Sequence, residues 1–145
     1  MENYMRLECE AISENEIFTR NAVAFFALPL EPDISELSDI KTAVSEAVTN
    51  CIVHAYGKGK GIITLECKIE GRTLHIKVSD KGRGIDNVEE AIQPFFTTLP
   101  DEERSGIGFT IMQTFMSDFK VESALSQGTT VFMSKVIGTG KKEDA

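Results

Sequence analysis

Two neighbouring runs of strict apolar–polar alternation constrain this chain more than any other feature. Apolar residues occupy every second position of residues 63–69, and the pattern returns in residues 74–78 after a turn near Glu70-Gly71. A period of two predicts strands with one apolar face, and the short turn joins them into a β-hairpin. Because that apolar face must be covered, the chain has to place helices against one side of a sheet.

Helical periodicity supplies the covering layer. The first predicted helix, "ENEIFTRNAVAFFAL", follows a capping box formed by Ser13 and Glu16. A cap at Asp33 or Ser35 opens a longer second helix, which is predicted to run through His54. The third predicted helix is "GIGFTIMQTFM".

Further alternation predicts three more strands. One lies at residues 5–11, and two close the chain as "FKVESAL" and "TTVFMSKV", with a turn around Gln127-Gly128 between them. No repeat or linker interrupts the pattern, so residues 1–137 are predicted to form a single domain and residues 138–145 a disordered polar tail. The predicted fold class is α+β, a two-layer sandwich with helices over a mostly antiparallel mixed sheet.

Charge and composition exclude several kinds of function. The 145 residues are 41% hydrophobic, enough for one core, but the net charge is −8 and there is no clustered basic stripe. Direct binding of nucleic acid, which requires lysines and arginines on one face, is therefore not expected. No signal-peptide core or membrane-spanning apolar run is present, so we predict a cytoplasmic protein without a membrane partner. The cysteines, predicted to be reduced core thiols without metal-ligand spacing, are Cys9, Cys51 and Cys67.

A carboxylate and an amide stand one turn apart on the second helix. Glu46 and Asn50 flank its apolar stripe, and His54 continues the same row. The residues alone favour the interpretation that the pair begins the solvated side of the helix over the alternative that it faces a site. His54 is expected to pack or cap rather than react.

Three glycine-containing segments lie between the elements. Asp80 ends a strand and is followed by Gly82 and Gly84, which indicates either a simple turn or an acceptor at a pocket that a flat ligand can approach. The segment 105–108 opens the third helix, and its glycines expose backbone N–H groups suited to phosphate; the alternative is a plain N-cap. The segment 128–130 opens the last strand and is by default a turn.

The order of these segments resembles the Bergerat nucleotide-binding fold of the GHKL superfamily, which includes gyrase-type ATPases, heat-shock chaperones, histidine kinases and anti-sigma-factor kinases. The Walker A and H-R-D patterns of two commoner ATP-binding designs do not occur. Over nearly its whole length the chain is most similar to the anti-sigma F family of serine-protein kinases from endospore-forming bacteria. The segments that carry the similarity are "SENE", "IKTAVSEAVTN", "FTT", "ERSGIGFTIM" and "GTTV".

This resemblance implies a role for each segment. Asn50 is implied as the Mg²⁺ ligand, and Glu46 as the general base toward a serine hydroxyl. The implied adenine site consists of Asp80, Gly82, Gly84 and Thr130. The implied phosphate and lid residues are Thr97, Thr98, Arg104, Ser105, Gly106, Ile107 and Gly108. Leu99 stands where family members often have lysine, so Arg104 is the candidate for that lid-to-phosphate contact.

Two activities follow from the resemblance. As a nucleotide-loaded homodimer, the protein would bind a sporulation sigma factor of the sigma F type and block its use by core RNA polymerase. With ATP and Mg²⁺ it would phosphorylate its anti-anti-sigma antagonist on serine. Arg20 on the first helix is a candidate partner contact, with a solvated helix charge as the alternative. Two further functions stay open: the equivalent kinase of a general-stress sigma regulon, and a nucleotide-gated binding module with little kinase activity.

Overall fold

The helices and strands follow one another in an order close to the predicted one. A computed structural model describes residues 1–57, 59–92 and 105–138, without the side chains of residues 105–107. In chain order the elements are β1 (Glu2–Glu10), α1 (Glu14–Ala27), a 3₁₀ turn (Leu28–Leu30), α2 (Ile34–Asn50), a π-helical turn (Cys51–Ala55), β2 (Ile62–Glu70), β3 (Thr73–Asp80), α3 (Val88–Ala91), α4 (Ser105–Phe115), β4 (Asp118–Ala124) and β5 (Gly128–Val136).

The five strands form one sheet in the order β1-β2-β3-β5-β4, and all four pairings between them are antiparallel. The predicted hairpin is confirmed, since β2 and β3 pair from Thr64 with Ser79 to Glu70 with Thr73. Gly71 takes the left-handed backbone (φ +60°) that this tight turn requires. Strand β3 lies in the middle of this sheet, and the buried side chain of its last residue, Asp80, faces the helical layer where the site forms.

Three helices cover one face of the sheet and enclose the core. Helix α2 packs against α1 on one side and against α4 on the other. The largest fully buried side chains come from both layers: Val23, Ile40, Val44, Val48, Ile63, Leu65, Ile69, Leu74, Ile76, Val78, Met112 and Ile137. Removing this apolar surface from water is the main stabilising contribution to such a fold. The predicted two-layer α+β architecture is confirmed.

One of the two predicted helix caps is wrong. Ser13 has helical backbone angles (φ −56°, ψ −35°) and makes no side-chain capping bond, because an N-cap needs an extended backbone to turn its oxygen toward the first turn. The amide of Asn15 instead donates to the Glu10 carbonyl (2.8 Å). The cap at Asp33 is confirmed: its carboxylate accepts from the Glu36 N–H (2.7 Å), and the Glu36 carboxylate accepts from the Asp33 N–H (3.0 Å).

The second helix ends earlier than predicted. Regular α-helix stops at Asn50, and Cys51–Ala55 forms a π turn in which the Tyr56 N–H donates to the Cys51 carbonyl (3.1 Å). π-helical turns are rare in proteins, and those that do occur are often found at functional sites. The Tyr56 hydroxyl donates to the first carbonyl of β2 (2.8 Å) and accepts from the Lys81 N–H (2.7 Å). The end of the turn is thereby tied to two neighbouring strands.

Cysteine placement agrees with the sequence. All three cysteines are free thiols; Cys51 and Cys67 are buried, and Cys9 is half-buried. Within the ranges that the structure describes, no group of His, Cys, Asp and Glu side chains is arranged to hold a metal ion. None of the helices in those ranges has the length and apolar character needed to cross a membrane.

Candidate functional site

A pocket opens between the helical layer and one end of the sheet. Helix α2 and the π turn form one wall, the end of β3 and the start of β5 form another, and α3 and α4 complete the lining. The lining is mostly apolar, with a few polar groups that converge on it, as is typical of a small-molecule site. The lining side chains with the clearest chemistry are Asn50, Cys51, His54, Asp80, Phe109 and Thr129.

Asp80 is the buried acceptor at one end of this pocket. It is the last residue of β3 and is 9% exposed. Its Oδ1 accepts from the N–H groups of Gly82 (2.9 Å) and Thr129 (3.2 Å), and Cys51 lines the same pocket. Burial raises the pKa of Asp80, and the two backbone donors partly oppose that rise. The carboxylate is therefore held in one orientation inside an apolar pocket.

Glu46 does not lie on the solvated side of its helix. It is 4% exposed, and its carboxylate faces the start of α4: a Cβ added to Gly108 would lie 3.1 Å from Glu46 Oε2 and 3.5 Å from the side-chain amide of Asn50. The missing side chain at residue 108 thus lets α4 approach the Glu46–Asn50 row. The interpretation that this pair begins the solvated face is wrong for Glu46.

The side chain of Asn50 is available to a ligand. Its Nδ2 atom is buried and has no hydrogen-bond partner among the described residues, whereas buried polar groups are normally bonded. Because the two ends of an amide are assigned rather than observed, the same side chain can present its oxygen to the pocket. An amide oxygen is a hard ligand of the kind that Mg²⁺ prefers. The residues present therefore fit a nucleotide carrying Mg²⁺.

Gly82 and Gly84 are explained by packing within the chain. A Cβ on Gly82 would lie 2.3 Å from the Ala55 carbonyl oxygen. Gly84 has φ +74°, and its Cβ would lie 1.9 Å from the Ala124 carbonyl oxygen. These contacts join the loop after β3 to the π turn and to the end of β4. Of the two glycines, which were predicted to make room for a base, Gly84 lines the pocket and Gly82 does not.

The threonine beside Asp80 is Thr129, not the predicted Thr130. Thr129 is the register partner of Asp80, lines the pocket and bonds the Ser123 hydroxyl (2.7 Å). The hydroxyl of Thr130 instead lies 3.4 Å from that of Ser79. Successive side chains of a strand point to opposite faces, so an error of one residue moves the predicted group to the wrong side of the sheet.

Part of the predicted site lies outside the described residues. Thr97, Thr98 and Arg104 fall in residues 93–104, and the side chains of Ser105, Gly106 and Ile107 are likewise not described. Helix α4 does begin at Ser105, so this segment opens a helix as predicted. Its role at the phosphates stays a prediction.

Arg20 lies on α1, away from the pocket. Its guanidinium is 2.9 Å from the Glu16 carboxylate one turn earlier, and its side chain is 36% exposed. A shallow groove between α1 and α2 runs beside it. Its predicted contact with a partner stays a prediction.

A second concavity lies on the outer face of the sheet. It is an open groove around Phe132, with Lys77 and Lys120 over the ring (5.7 and 5.9 Å from the centroid). Lys77 also lies 3.8 Å from Glu66, and Lys120 lies 2.9 Å from Glu122. Because these charges are paired and the groove is shallow, the buried pocket on the helical side is the stronger candidate site.

Sequence reasoning missed three residues that line the pocket. Cys51 was expected only to fill the core, and His54 only to pack or cap, yet both line the pocket; so does Phe109 of α4. Periodicity cannot separate a pocket wall from a core, since both are apolar. Cys51 and Asp80 line the same pocket although they lie far apart in the chain, and no local signal in the sequence indicates this.

The part of the chain that matches a known family includes every residue that lines the pocket. Residues 15–135 match a family model described as a histidine kinase-like ATPase domain. The anti-sigma F factor of Thermoanaerobacter sp. (strain X514) is 53% identical over 139 residues, which cover 96% of this chain and 97% of the relative. That of Anoxybacillus flavithermus is 49% identical over 142 residues, 97% of each chain.

Solved structures share the fold at lower sequence identity. The RsbU and RsbW domains of a Mycobacterium tuberculosis protein align with a TM-score of 0.67 at 18% identity, covering 93% of this chain and 32% of that one. The mycobacterial sensor histidine kinase MprB aligns with a TM-score of 0.56 at 16% identity, covering 90% and 97%. The solved structures share the fold of this chain over nearly its full length. The curated relatives share its sequence over nearly its full length as well. This chain therefore belongs to the histidine kinase-like ATPase domain family, and within it to the anti-sigma F factors.

Proposed function

We propose that this protein is a cytoplasmic anti-sigma factor with serine kinase activity. It binds a sporulation sigma factor of the sigma F type, keeps it from core RNA polymerase, and phosphorylates its anti-anti-sigma antagonist on serine. The observation that carries the proposal is that Glu46 is buried on α2, beside Asn50 of the same helix and Gly108 of α4. Helix α2 also lines the pocket that contains Asp80. The names of relatives about half identical to the chain support the part that concerns the sigma factor.

Asp80 selects the base of the nucleotide. An ionised carboxylate in an apolar pocket accepts strongly from an exocyclic amino group, which adenine presents at its 6-position. Guanine would bring a carbonyl oxygen to the same place, and two acceptors repel each other. The backbone donors from Gly82 and Thr129 keep the carboxylate in position for this contact.

Asn50 and the start of α4 hold the phosphates. If Mg²⁺ accompanies the nucleotide, the Asn50 amide oxygen would hold it, and the ion would neutralise charge on the phosphate oxygens. The N–H groups at the start of α4, from Ser105 onward, lie at the positive end of the helix dipole, and Gly106 and Gly108 leave them open to a phosphate. The residues of the predicted lid, Thr97, Thr98 and Arg104, are proposed to close over this end.

Glu46 acts as the general base. The hydroxyl oxygen of the acceptor serine forms a bond to the γ-phosphorus, the bond from that phosphorus to the ADP oxygen breaks, and the hydroxyl proton passes to the Glu46 carboxylate. Burial of this carboxylate beside Gly108 keeps it within reach of the phosphate end of the pocket. Asn50 lies beside Glu46, one turn further along α2, and orients the phosphates for the reaction.

The kinase test is single-turnover transfer of labelled γ-phosphate to the antagonist. Glu46→Gln keeps the volume and helix propensity of the residue, so ATP and sigma-factor binding should survive. Phosphorylation should fall by roughly 10²–10⁴-fold, the usual contribution of a positioned acid–base group. Glu122→Gln, an exposed change on the outer face of β4, is the matched control and should leave the rate unchanged. Phosphorylation by Glu46→Gln within a few-fold of wild type would refute the catalytic role.

The sigma-factor test is co-purification from the native host. Recovery of a sporulation sigma factor supports the proposal, and recovery of a general-stress sigma factor would replace it. A nucleotide-gated binding module without kinase activity would show sigma-factor binding and no transfer of phosphate in the preceding assay.

We propose a homodimer as the working form. Strand β1 lies at one edge of the described sheet, and an edge strand offers backbone groups to a second chain. Arg20 is proposed to contact the protein partners from α1. Light scattering with ATP present should give the mass of a dimer, and a stable monomer at micromolar concentration would contradict this form.

A further inference from the structure

Three successive backbone N–H groups at the start of the loop after Asp80 are hydrogen-bonded. The Gly82 N–H donates to Asp80 Oδ1 (2.9 Å), which ties the orientation of the carboxylate to the path of the loop. The N–H of the next residue donates to the Ala55 carbonyl at the end of the π turn (3.0 Å). The Lys81 N–H donates to the Tyr56 hydroxyl (2.7 Å). The loop is thus bound to the helical layer on both sides of Gly82.

Tyr56 supplies the one bond between this loop and the end of the π turn that uses a side chain. Its hydroxyl also donates to the Ile62 carbonyl at the start of β2 (2.8 Å), so the same oxygen acts as donor and as acceptor. The ring is half-buried and lies over Gly61, where a Cβ would overlap the ring carbons. Two hydrogen bonds and a close backbone therefore hold Tyr56 in one position.

We infer that Tyr56 is a positioning residue for recognition of the base: its hydroxyl fixes the Lys81 N–H, and with it the loop that orients the Asp80 carboxylate. The inference rests on the proposed binding of ATP and adds a determinant of base specificity. Tyr56 is not among the residues that line the pocket, so it acts through the loop. Hydrogen bonds weaken steeply when donor and acceptor are misaligned, so a shifted carboxylate loses the amino group of adenine first. A Tyr56 that only stabilised the fold would leave the relative affinities for different bases unchanged.

Calorimetric titration of two nucleotides with two variants separates these roles. The ligands are ATP and purine riboside 5′-triphosphate, which lacks the 6-amino group, each with Mg²⁺. Tyr56→Phe keeps the ring and removes the hydroxyl. It should weaken ATP binding by roughly three- to tenfold, the loss of one net hydrogen bond, and change binding of the analogue by less than about twofold. Gly61→Ala keeps the hydroxyl but displaces the ring, and should lower the same preference for ATP. The double variant should lose no more preference than the more affected single variant, because both changes act through one bond.

Tyr4→Phe is the matched control. Tyr4 is the other of the two tyrosines in the chain, and its hydroxyl donates to the Glu66 carboxylate (2.9 Å) on the outer face of the sheet. Its removal should leave the ratio of the two affinities unchanged. Equal weakening of both ligands by Tyr56→Phe, or no weakening of ATP, overturns the inference while the proposed function stands. A wild-type protein that binds ATP no better than the analogue overturns the proposed contact of Asp80 with adenine, and the inference with it.

Discussion

Replacing Gly108 with alanine perturbs the proposed catalytic pair with one methyl group. The added Cβ would lie 3.1 Å from Glu46 Oε2 and 3.5 Å from the side-chain amide of Asn50. The second distance is an ordinary contact, so Asn50 can stay in place. To reach the 3.4 Å at which ordinary van der Waals contact begins, the Glu46 carboxylate must retreat by about 0.3 Å.

The size of the effect follows from that displacement. A misplacement of about 1 Å can cost 10²-fold in rate, so a shift of a third of that distance should slow phosphorylation by roughly three- to tenfold. The fold should tolerate the change, because alanine is favoured over glycine in a helix interior by up to about 1 kcal/mol, which offsets the strain of the contact. We therefore expect a free energy of unfolding within about 1 kcal/mol of wild type.

The assay is single-turnover phosphate transfer in two backgrounds, wild type and Glu46→Gln. If the methyl group slows the reaction by displacing the Glu46 carboxylate, the Glu46→Gln background has no general base to displace. Gly108→Ala should then change the rate of phosphate transfer in that background by less than about twofold. Thr114→Ala, on the exposed side of the same helix, controls for helix propensity. Equal slowing in both backgrounds, or a fall in ATP affinity as large as the fall in rate, would show that the methyl group acts on the phosphates and would refute the reasoning.

The remaining predictions concern Asp80 and two glycines with a left-handed backbone. Asp80→Asn should weaken ATP binding by roughly ten- to a hundredfold in calorimetry, because a hydrogen bond to a charged acceptor is lost; unchanged affinity would contradict the assignment. Since burial raises the pKa of Asp80, ATP affinity should fall as pH drops through that raised pKa, at higher pH than for an ordinary aspartate, and should be flat in Asp80→Asn. The same raised pKa means that the folded state binds the extra proton, so the contribution of Asp80 to stability decreases as pH rises from its unfolded to its folded pKa. Gly84→Ala should destabilise by more than about 2 kcal/mol in urea titrations, because left-handed backbone strain adds to the clash with the Ala124 carbonyl. Gly57→Ala has a similar φ (+57°) and no atom within 4 Å of its Cβ, so it should cost only the strain, about 1–2 kcal/mol.

Much of the fold could be predicted because its signals are local. The alternation in residues 63–78 specified both strands of the hairpin and their buried face, and the cap at Asp33 was visible in its own turn. The cap at Ser13 failed since the motif states which residues are available and not which backbone angles they take. Helix α3 was missed because Val88–Ala91 is too short to show a period. The π turn after Asn50 is set by its ties to Lys81 and β2, which lie beyond any local window.

The site could be predicted only where the order of motifs identified the family. Glu46, Asn50 and Asp80 came from that order, since each residue alone had an ordinary structural explanation. The choice between Thr129 and Thr130 required the register of β5 against β3, which a motif does not contain. Sequence therefore predicts which residue types take part, and the tertiary arrangement decides which of two neighbours faces the ligand.

Two carboxylates are buried in the region between α2, α4 and the end of β3. The chain has 23 aspartates and glutamates, and in the part of the chain that the structure describes only Glu46 and Asp80 are buried. Taking a carboxylate out of water costs several kcal/mol even after partial compensation. A fold that needed only stability would place apolar residues of similar size at both positions. Glu46 instead belongs to α2, beside Gly108, and Asp80 lines the pocket together with the π turn that follows α2. In the proposed function, α2 and its π turn would connect recognition of the base with transfer of the phosphate, because Glu46 belongs to the helix and the following turn lines the pocket of Asp80.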